Sequence, residues 1–236
     1  MTRPLLLTRP RAQSEAFAAE AEARLPGRFG PVLVAPLLEI VSVPAALDLA
    51  GVEALLFSSA NGVEAFAAAS PERSLPAFCV GEMTAAAARA HGFAARSADG
   101  DVTALAALAA EAWRPGQGPF LHVRGRHAAG DLVGALAARG IPVRAAEIYD
   151  QVPQPLSPEA RVLIGTGAAT VVPLFSPRTA RVFARETAGL DLSAVTVVGL
   201  SAAVVAPVEA GRRIVTRSPG RDGMLAALAG LGMEAR

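Results

Sequence analysis

One passage of this chain is written twice. Residues 55–98 read LLFSSANGVEAFAAASPERSLPAFCVGEMTAAAARAHGFAARSA, and residues 171–220 read VVPLFSPRTARVFARETAGLDLSAVTVVGLSAAVVAPVEAGRRIVTRSPG. Phe57-Ser58-Ser59 followed by Phe66 answers Phe175-Ser176-Pro177 followed by Phe183. Val80-Gly81 followed by Thr84-Ala85 answers Val198-Gly199 followed by Ser201-Ala202, Gly92 answers Gly211, and Leu105 answers Leu225. An offset of about 118 residues is far too long for a solenoid repeat and is the size of a small domain. The 236 residues therefore form two similar halves, each large enough to bury its own core.

Within each half, short apolar runs alternate with helical stretches. Leu5-Leu6-Leu7-Thr8 is a strand, and Arg9-Pro10-Arg11 opens a helix reaching about Leu25, with Pro10 suited to the first turn. ALLFSS leads to a helix from Asn61, AFCVG to a helix from Met83 and then a helix over 102–112, and PFLHVRG to a helix from Ala128. After a helix at 157–164, TVVPLFS, VTVVGLS and RIVTRS are each followed by a helix, the last from Asp222. Continuous apolar strands separated by helices predict parallel sheets covered on both faces. Two longer extended segments stand apart: PVLVAPLLEIVSV at 31–43, broken by Pro36, and IPVRAAEIYDQVPQPL at 141–156. A proline inside an apolar β run argues for an edge or a crossing point between sheets.

A second echo sets the topology. LLLTRPRAQSEAFAAEAEA and FLHVRGRHAAGDLVGALAA align Arg9 with Arg124 and Arg11 with Arg126, yet one opens the chain and the other ends its middle block. The economical arrangement is a discontinuous domain of residues 1–36 and 154–236, an inserted domain of 41–147, and hinge strands at 37–40 and 148–153. The rival is a tandem split near residue 118.

Ligands of open parallel sheets sit at the carboxyl ends of strands, where helix N-termini present free N–H groups. Ser58, Ser59, Asn61, Thr84, Ser176, Arg178 and Ser201 lie at such ends, with Arg9 and Arg124 after the matching Arg-x-Arg strands. Hydroxyls, amides and arginines suit a polycarboxylate facing both domains, although each Ser or Thr also reads as a helix cap. Tyr149 is the only tyrosine and falls on a hinge strand, either reaching a cleft or standing at the surface.

Other chemistries find little support. All 22 basic residues are arginine, which excludes a Schiff-base lysine and a phosphate-loop lysine. A net charge of +1 and a lone Trp113 give no reason to expect nucleic acid or a membrane surface. His91, His122 and His127 have no metal-ligand spacing, Asp99 and Asp101 read as solvated loop acids, and Cys79 in AFCVG reads as a buried strand cysteine. MTRPLLLTRP is too short an apolar stretch for a signal peptide, so a cytoplasmic protein is expected.

LLLTRP, PLLEI, LLFSSANGVEAF, VGEMTAAAARAHGF, LHVRG, EIYDQV, FSPRTARVF and VVGLSAAVVAP, in this order along nearly the whole chain, resemble the uroporphyrinogen-III synthase family. The resemblance implies two flavodoxin-like α/β domains joined by a two-stranded β connector. It also implies a reaction: the linear tetrapyrrole hydroxymethylbilane, with its eight carboxylates, loses water and closes with its last ring inverted, without metal or cofactor. Tyr149 matches the family residue proposed to assist departure of the hydroxyl. Thr84 matches a threonine of the cleft, Ser201 stands where relatives carry Thr or Ser, and Ala202 lacks the second hydroxyl some relatives have. A monomer meeting hydroxymethylbilane synthase only transiently is expected. The competing readings are a two-lobed hinge protein that binds a polycarboxylate without catalysis, which would call for a signal peptide, and a regulator domain, which would call for a nucleic-acid-binding segment.

Overall fold

The structure is a computed structural model and describes residues 2–45, 47–127, 130–218 and 220–231. It divides into one unit of residues 1–39 and 152–236 and a second, continuous unit of 40–151.

The first unit holds β1 (Arg3–Leu7), α1 (Arg11–Arg24) and β2 (Phe29–Val34), then, after the second unit, α6 (Pro158–Gly165), β9 (Val171–Leu174), α7 (Pro177–Glu186), β10 (Thr196–Gly199), α8 (Ala202–Val205), β11 (Arg212–Val215) and α9 (Gly220–Gly230). Its five strands lie in the order β11-β10-β9-β1-β2, all parallel. The second unit holds β4 (Ala54–Phe57), α2 (Ala60–Ala69), β5 (Ala77–Cys79), α3 (Glu82–Ala90), β6 (Ala95–Ser97), α4 (Val102–Ala112), β7 (Phe120–Gly125) and α5 (Leu132–Ala137). Two further strands, β3 (Leu38–Ser42) and β8 (Val143–Pro153), complete a six-stranded sheet, β3-β8-β7-β4-β5-β6.

Alternation along the strands places the cores. Leu5 and Leu7 pack with Phe17, Ala21, Met224 and Leu225, whereas Leu6 lies on the other face with Phe183, Ala180 and Val204. Leu55 and Phe57 pack with Val63, Phe66 and Ala85, while Ala54 and Leu56 face Leu105, Ala109 and Leu132. Successive side chains point to opposite faces, so strands buried on both sides must be apolar throughout. Each sheet is thus covered by helices on both faces, as the α/β pattern of the sequence requires.

The segment at 31–43 becomes two strands that belong to different sheets. Pro36 stands in the Ala35–Leu37 break between β2 and β3. The Val43 amide donates to the Ile148 carbonyl and the Gln154 amide to that of Leu37, both at 2.9 Å. Partner numbers fall as the chain rises, so β3 runs antiparallel to β8. The chain leaves the first unit within β3 and returns within β8.

Three details differ from expectation. A strand at Ala95–Ser97, absent from the sequence reading, pairs with β5 in register Ala77↔Ala95. The helix expected from Ala128 begins at Leu132, where Asp131 caps it through the Gly134 amide; residues 128–129 lie outside the described residues. Pro10 is the N-cap of α1, one place ahead of the first turn.

Candidate active site

In the second unit, the carboxyl end of β4 runs into α2 through Ser58 and Ser59. Ser59 is the N-cap, accepting from the Asn61 amide at 3.2 Å. The two hydroxyls meet different partners. Ser58 Oγ lies 3.0 Å from Nε2 of His122 on β7. The Ser59 side chain lies close enough to the Tyr149 phenol on β8 to favour its phenolate. By pleat alternation His122 follows Phe120 onto the face carrying α4 and α5, whereas Tyr149 packs with the α2 and α3 cluster. A buried titratable ring therefore stands beside each serine, one on either side of the sheet.

Tyr149 is 3% exposed, so it is neither a surface residue nor freely extended. Two glycines make its place. A Cβ on Gly125 would come within 2.6 Å of Tyr149 Cε2 and 2.7 Å of Cζ. A Cβ on Gly62 would sit 3.1 Å from the Val123 carbonyl oxygen and 3.8 Å from Tyr149 Cε1. Burial raises the phenol pKa, while Ser59, the Gly125 backbone and the charge of Arg124 act in the opposite direction. The phenol keeps its proton at neutral pH, yet its phenolate would have donors already in place.

Arg124 is the penultimate residue of β7, with Nε donating to the Gly125 carbonyl at 3.0 Å and Nη2 lying 3.6 Å from Glu147. The next residue but one, Arg126, pairs with Asp150 at 3.3 Å. His122 is buried and pushed down to about 4, chiefly by desolvation and further by Arg124. Thr84 is buried in the first turn of α3, beyond the end of the neighbouring β5, and Gly81 serves as that helix's N-cap.

The first unit is furnished differently. Arg9, just past β1, lies over the Phe175 ring at 4.3 Å, and Phe175 meets Phe17 edge-on at 5.2 Å. Burial, with the nearby charge of Arg221, lowers the Arg9 pKa to about 10, and its Nη1 has no hydrogen-bond partner. Ser176 caps α7 through the Thr179 amide at 3.1 Å and shares a 2.9 Å bond with the Thr179 hydroxyl. Arg178 follows in the same first turn. Ser201 occupies the N-cap of α8 and is exposed, but its side chain makes no capping bond.

The structure thus gathers Ser58, Ser59, Asn61, Arg124 and Tyr149 at adjoining strand ends of one sheet, with Thr84 one strand further along. Arg9, Ser176, Arg178 and Ser201 occupy strand ends of the other. His122, Gly62 and Gly125 were not among the candidates from sequence, although both glycines occur only in the half that carries the tyrosine. By the repeat, Gly125 stands where the first unit has Pro10, and Gly62, four residues before Phe66, where it has Thr179, four before Phe183. Among the described residues no group of three His, Cys, Asp or Glu side chains could hold a metal. Cys79 is buried on β5, with its thiol pushed up to about 12 by desolvation, and is no nucleophile.

The family model described as uroporphyrinogen-III synthase HemD matches residues 19–225. The chain belongs to the uroporphyrinogen-III synthase family. Its fold is also that of solved uroporphyrinogen-III synthases. The crystal structure of uroporphyrinogen-III synthetase from Helicobacter pylori 26695 superposes with a TM-score of 0.66 at 16% identity, covering 98% of this chain and 100% of that one. A mutant uroporphyrinogen III synthase from the extremely thermophilic bacterium Thermus thermophilus gives 0.55 at 16% identity, covering 99% and 100%. At such identity the likeness is one of fold, and the family match carries the activity. No curated protein sequence matches. Uroporphyrinogen-III synthases are cyclising lyases of haem biosynthesis, and this chain is such a lyase. No helix among the described residues is long and apolar enough to cross a membrane.

Proposed function

We propose that this synthase closes hydroxymethylbilane to uroporphyrinogen III with Tyr149 as the acid that releases the hydroxyl as water. The observation that carries the assignment is the seat of the Tyr149 hydroxyl, buried between Ser59 and the Gly125 backbone with Arg124 nearby. The phenol proton leaves with the departing hydroxyl. The phenolate is favoured by Ser59, the Gly125 backbone and the Arg124 charge until the proton shed on ring closure restores the phenol. Loss of water leaves no net proton change on the enzyme. General-acid assistance of this kind contributes about 10²–10⁴-fold.

Substrate carboxylates are met by fixed donors at the strand ends: the hydroxyls of Ser58, Thr84, Ser176 and Ser201, the Asn61 amide, and the guanidinium groups of Arg9, Arg124 and Arg178. Carboxylates accept and never donate, which suits a site of hydroxyls and arginines. The same reading has a monomer in the cytoplasm, taking substrate from hydroxymethylbilane synthase in transient contact. Light scattering should then return the chain mass of 24.0 kDa.

The test is an isomer analysis. Hydroxymethylbilane generated in situ is incubated with the purified protein, oxidised, and its type I and type III uroporphyrins are separated. Type III without added metal or nucleotide is expected; type I alone, from folded protein, would overturn the activity and favour a polycarboxylate-binding protein. Tyr149→Phe should lower the type III rate about 10²-fold. An unchanged rate removes Tyr149 from the acid role and leaves the activity standing.

A further inference from the structure

His122 is buried in the middle of β7, is 2% exposed, and has one hydrogen bond, from Nε2 to Ser58 Oγ at 3.0 Å. Its Nδ1 is buried without a partner. Desolvation and the Arg124 charge keep the ring neutral. A neutral imidazole carries one N–H, so two arrangements are available. With the proton on Nδ1, a donor is buried unpaired and Nε2 must take the Ser58 proton. With the proton on Nε2, the N–H donates to Ser58 Oγ and the unpaired atom is a bare acceptor. Orphaned buried donors are the rarer defect, so the structure favours the second.

The choice decides what Ser58 offers a ligand. If its hydroxyl donates to His122, it turns only lone pairs outward, and these repel a carboxylate. If it accepts from His122, its own proton is free at the carboxyl end of β4, where the residue is partly exposed. We propose that His122 is a positioning residue: its Nε2–H, donated to Ser58 Oγ, turns the Ser58 hydroxyl into a committed donor to a substrate carboxylate. This rests on the polycarboxylate substrate of the proposed function. Ser59 has no need of such a partner, since its neighbour, Tyr149, carries a hydroxyl that can both donate and accept.

The test has two arms on the full chain. Nitrogen-15 spectra of the imidazole, recorded on the free enzyme near neutral pH, should show the Nε2–H tautomer; an Nδ1–H tautomer or an imidazolium overturns the inference whatever the activity. In the kinetic arm, His122→Leu should raise KM for hydroxymethylbilane about tenfold, as loss of a hydrogen bond to a charged group requires, with the change falling on KM and not on kcat. Ser58→Ala should do the same, and the double variant should be no worse than either single one. His122→Gln, whose terminal amide can still donate, should restore most of the lost affinity. Additive losses, or a wild-type KM in folded Ser58→Ala, would overturn the proposal. A wild-type enzyme making no type III product would fail the proposed function instead, and the tautomer would still be read.

Discussion

The two units are one sheet threaded in two ways. In the first, strands taken in chain order occupy the flavodoxin-like sequence, with β2-β1-β9-β10-β11 lying side by side. In the second, β8-β7-β4-β5-β6 occupy the same places, but the chain enters at β4 and reaches the counterparts of β1 and β2 last. That rotation is why the Arg-x-Arg strand opens the chain in one unit and closes the block in the other. The strand ends then diverge. The first unit has a half-buried guanidinium stacked on Phe175, where the second has neutral rings, His122 and Tyr149, beside consecutive serines. Arg124 answers Arg9 in the repeat, so the divergence lies in what surrounds the strand-end cation: an aromatic stack in the first unit, two buried neutral rings in the second.

Matching core residues offer the largest test of that likeness. Phe66 and Phe183 are both 0% exposed and occupy the same place in the repeat, so each change to Ala should cost about 3–5 kcal/mol. Hydrogen exchange should place the loss from Phe66→Ala within residues 40–151 and that from Phe183→Ala outside them. Protection lost equally everywhere by either variant would mean that the halves do not unfold as separate units.

Acid should separate the units next. His122 is held near 4 in the folded state against an ordinary value of 6.5. Its neutral form contributes stability that is present above 6.5 and lost as the pH falls through about 4, because the unfolded chain takes up the proton first. The full window corresponds to about 3 kcal/mol. Arg9, with its pKa near 10, does not titrate there. Denaturant midpoints should therefore fall between neutral pH and the window's acid end, and His122→Leu should flatten that part of the curve. A variant as acid-sensitive as the parent would assign the effect to carboxylates.

Gly125→Ala probes the tyrosine seat. Its Cβ would lie 2.6 Å from the ring, so the phenol must move, and the type III rate should fall about 10²-fold with a smaller loss of stability. Combining it with Tyr149→Phe should add little. In the first unit Arg9→Met, which keeps an apolar stem on Phe175, should be neutral or stabilising by about 1 kcal/mol, since it removes a half-buried cation whose Nη1 lacks a hydrogen bond. KM should rise several-fold nonetheless. A loss of stability with KM intact would make Arg9 a structural residue.

The α/β class was legible because fully buried strands must be apolar along their whole length, and Leu5-Leu6-Leu7 or Ala54–Phe57 can be little else. Ala95–Ser97 was not, since three residues without an apolar run become a strand only through pairing with β5. The serines and arginines at strand ends were visible through the repeat. The role of His122 was hidden because its partner is 64 residues away, and a histidine without metal-ligand spacing gives no local signal. Tyr149 could be picked out but not placed. Its burial depends on glycines of β7 and α2, and only the sheet register brings these beneath the ring.

The insertion of one unit within the other also bears on how the protein is made. A ribosome delivers residues 40–151 without interruption, so the second sheet has all its strands soon after β8 emerges. The first has only β1 and β2 until β9 arrives, a delay on the order of ten seconds at usual synthesis rates. During that delay the edge of β1 that will receive Val171, beside Leu5, is without its neighbour, the state in which apolar strands recruit wrong partners. A nascent chain stalled near residue 195, with β8 outside the ribosome and β9 still within it, should therefore carry a protease-resistant inner unit behind an N-terminal segment that chaperones still recognise.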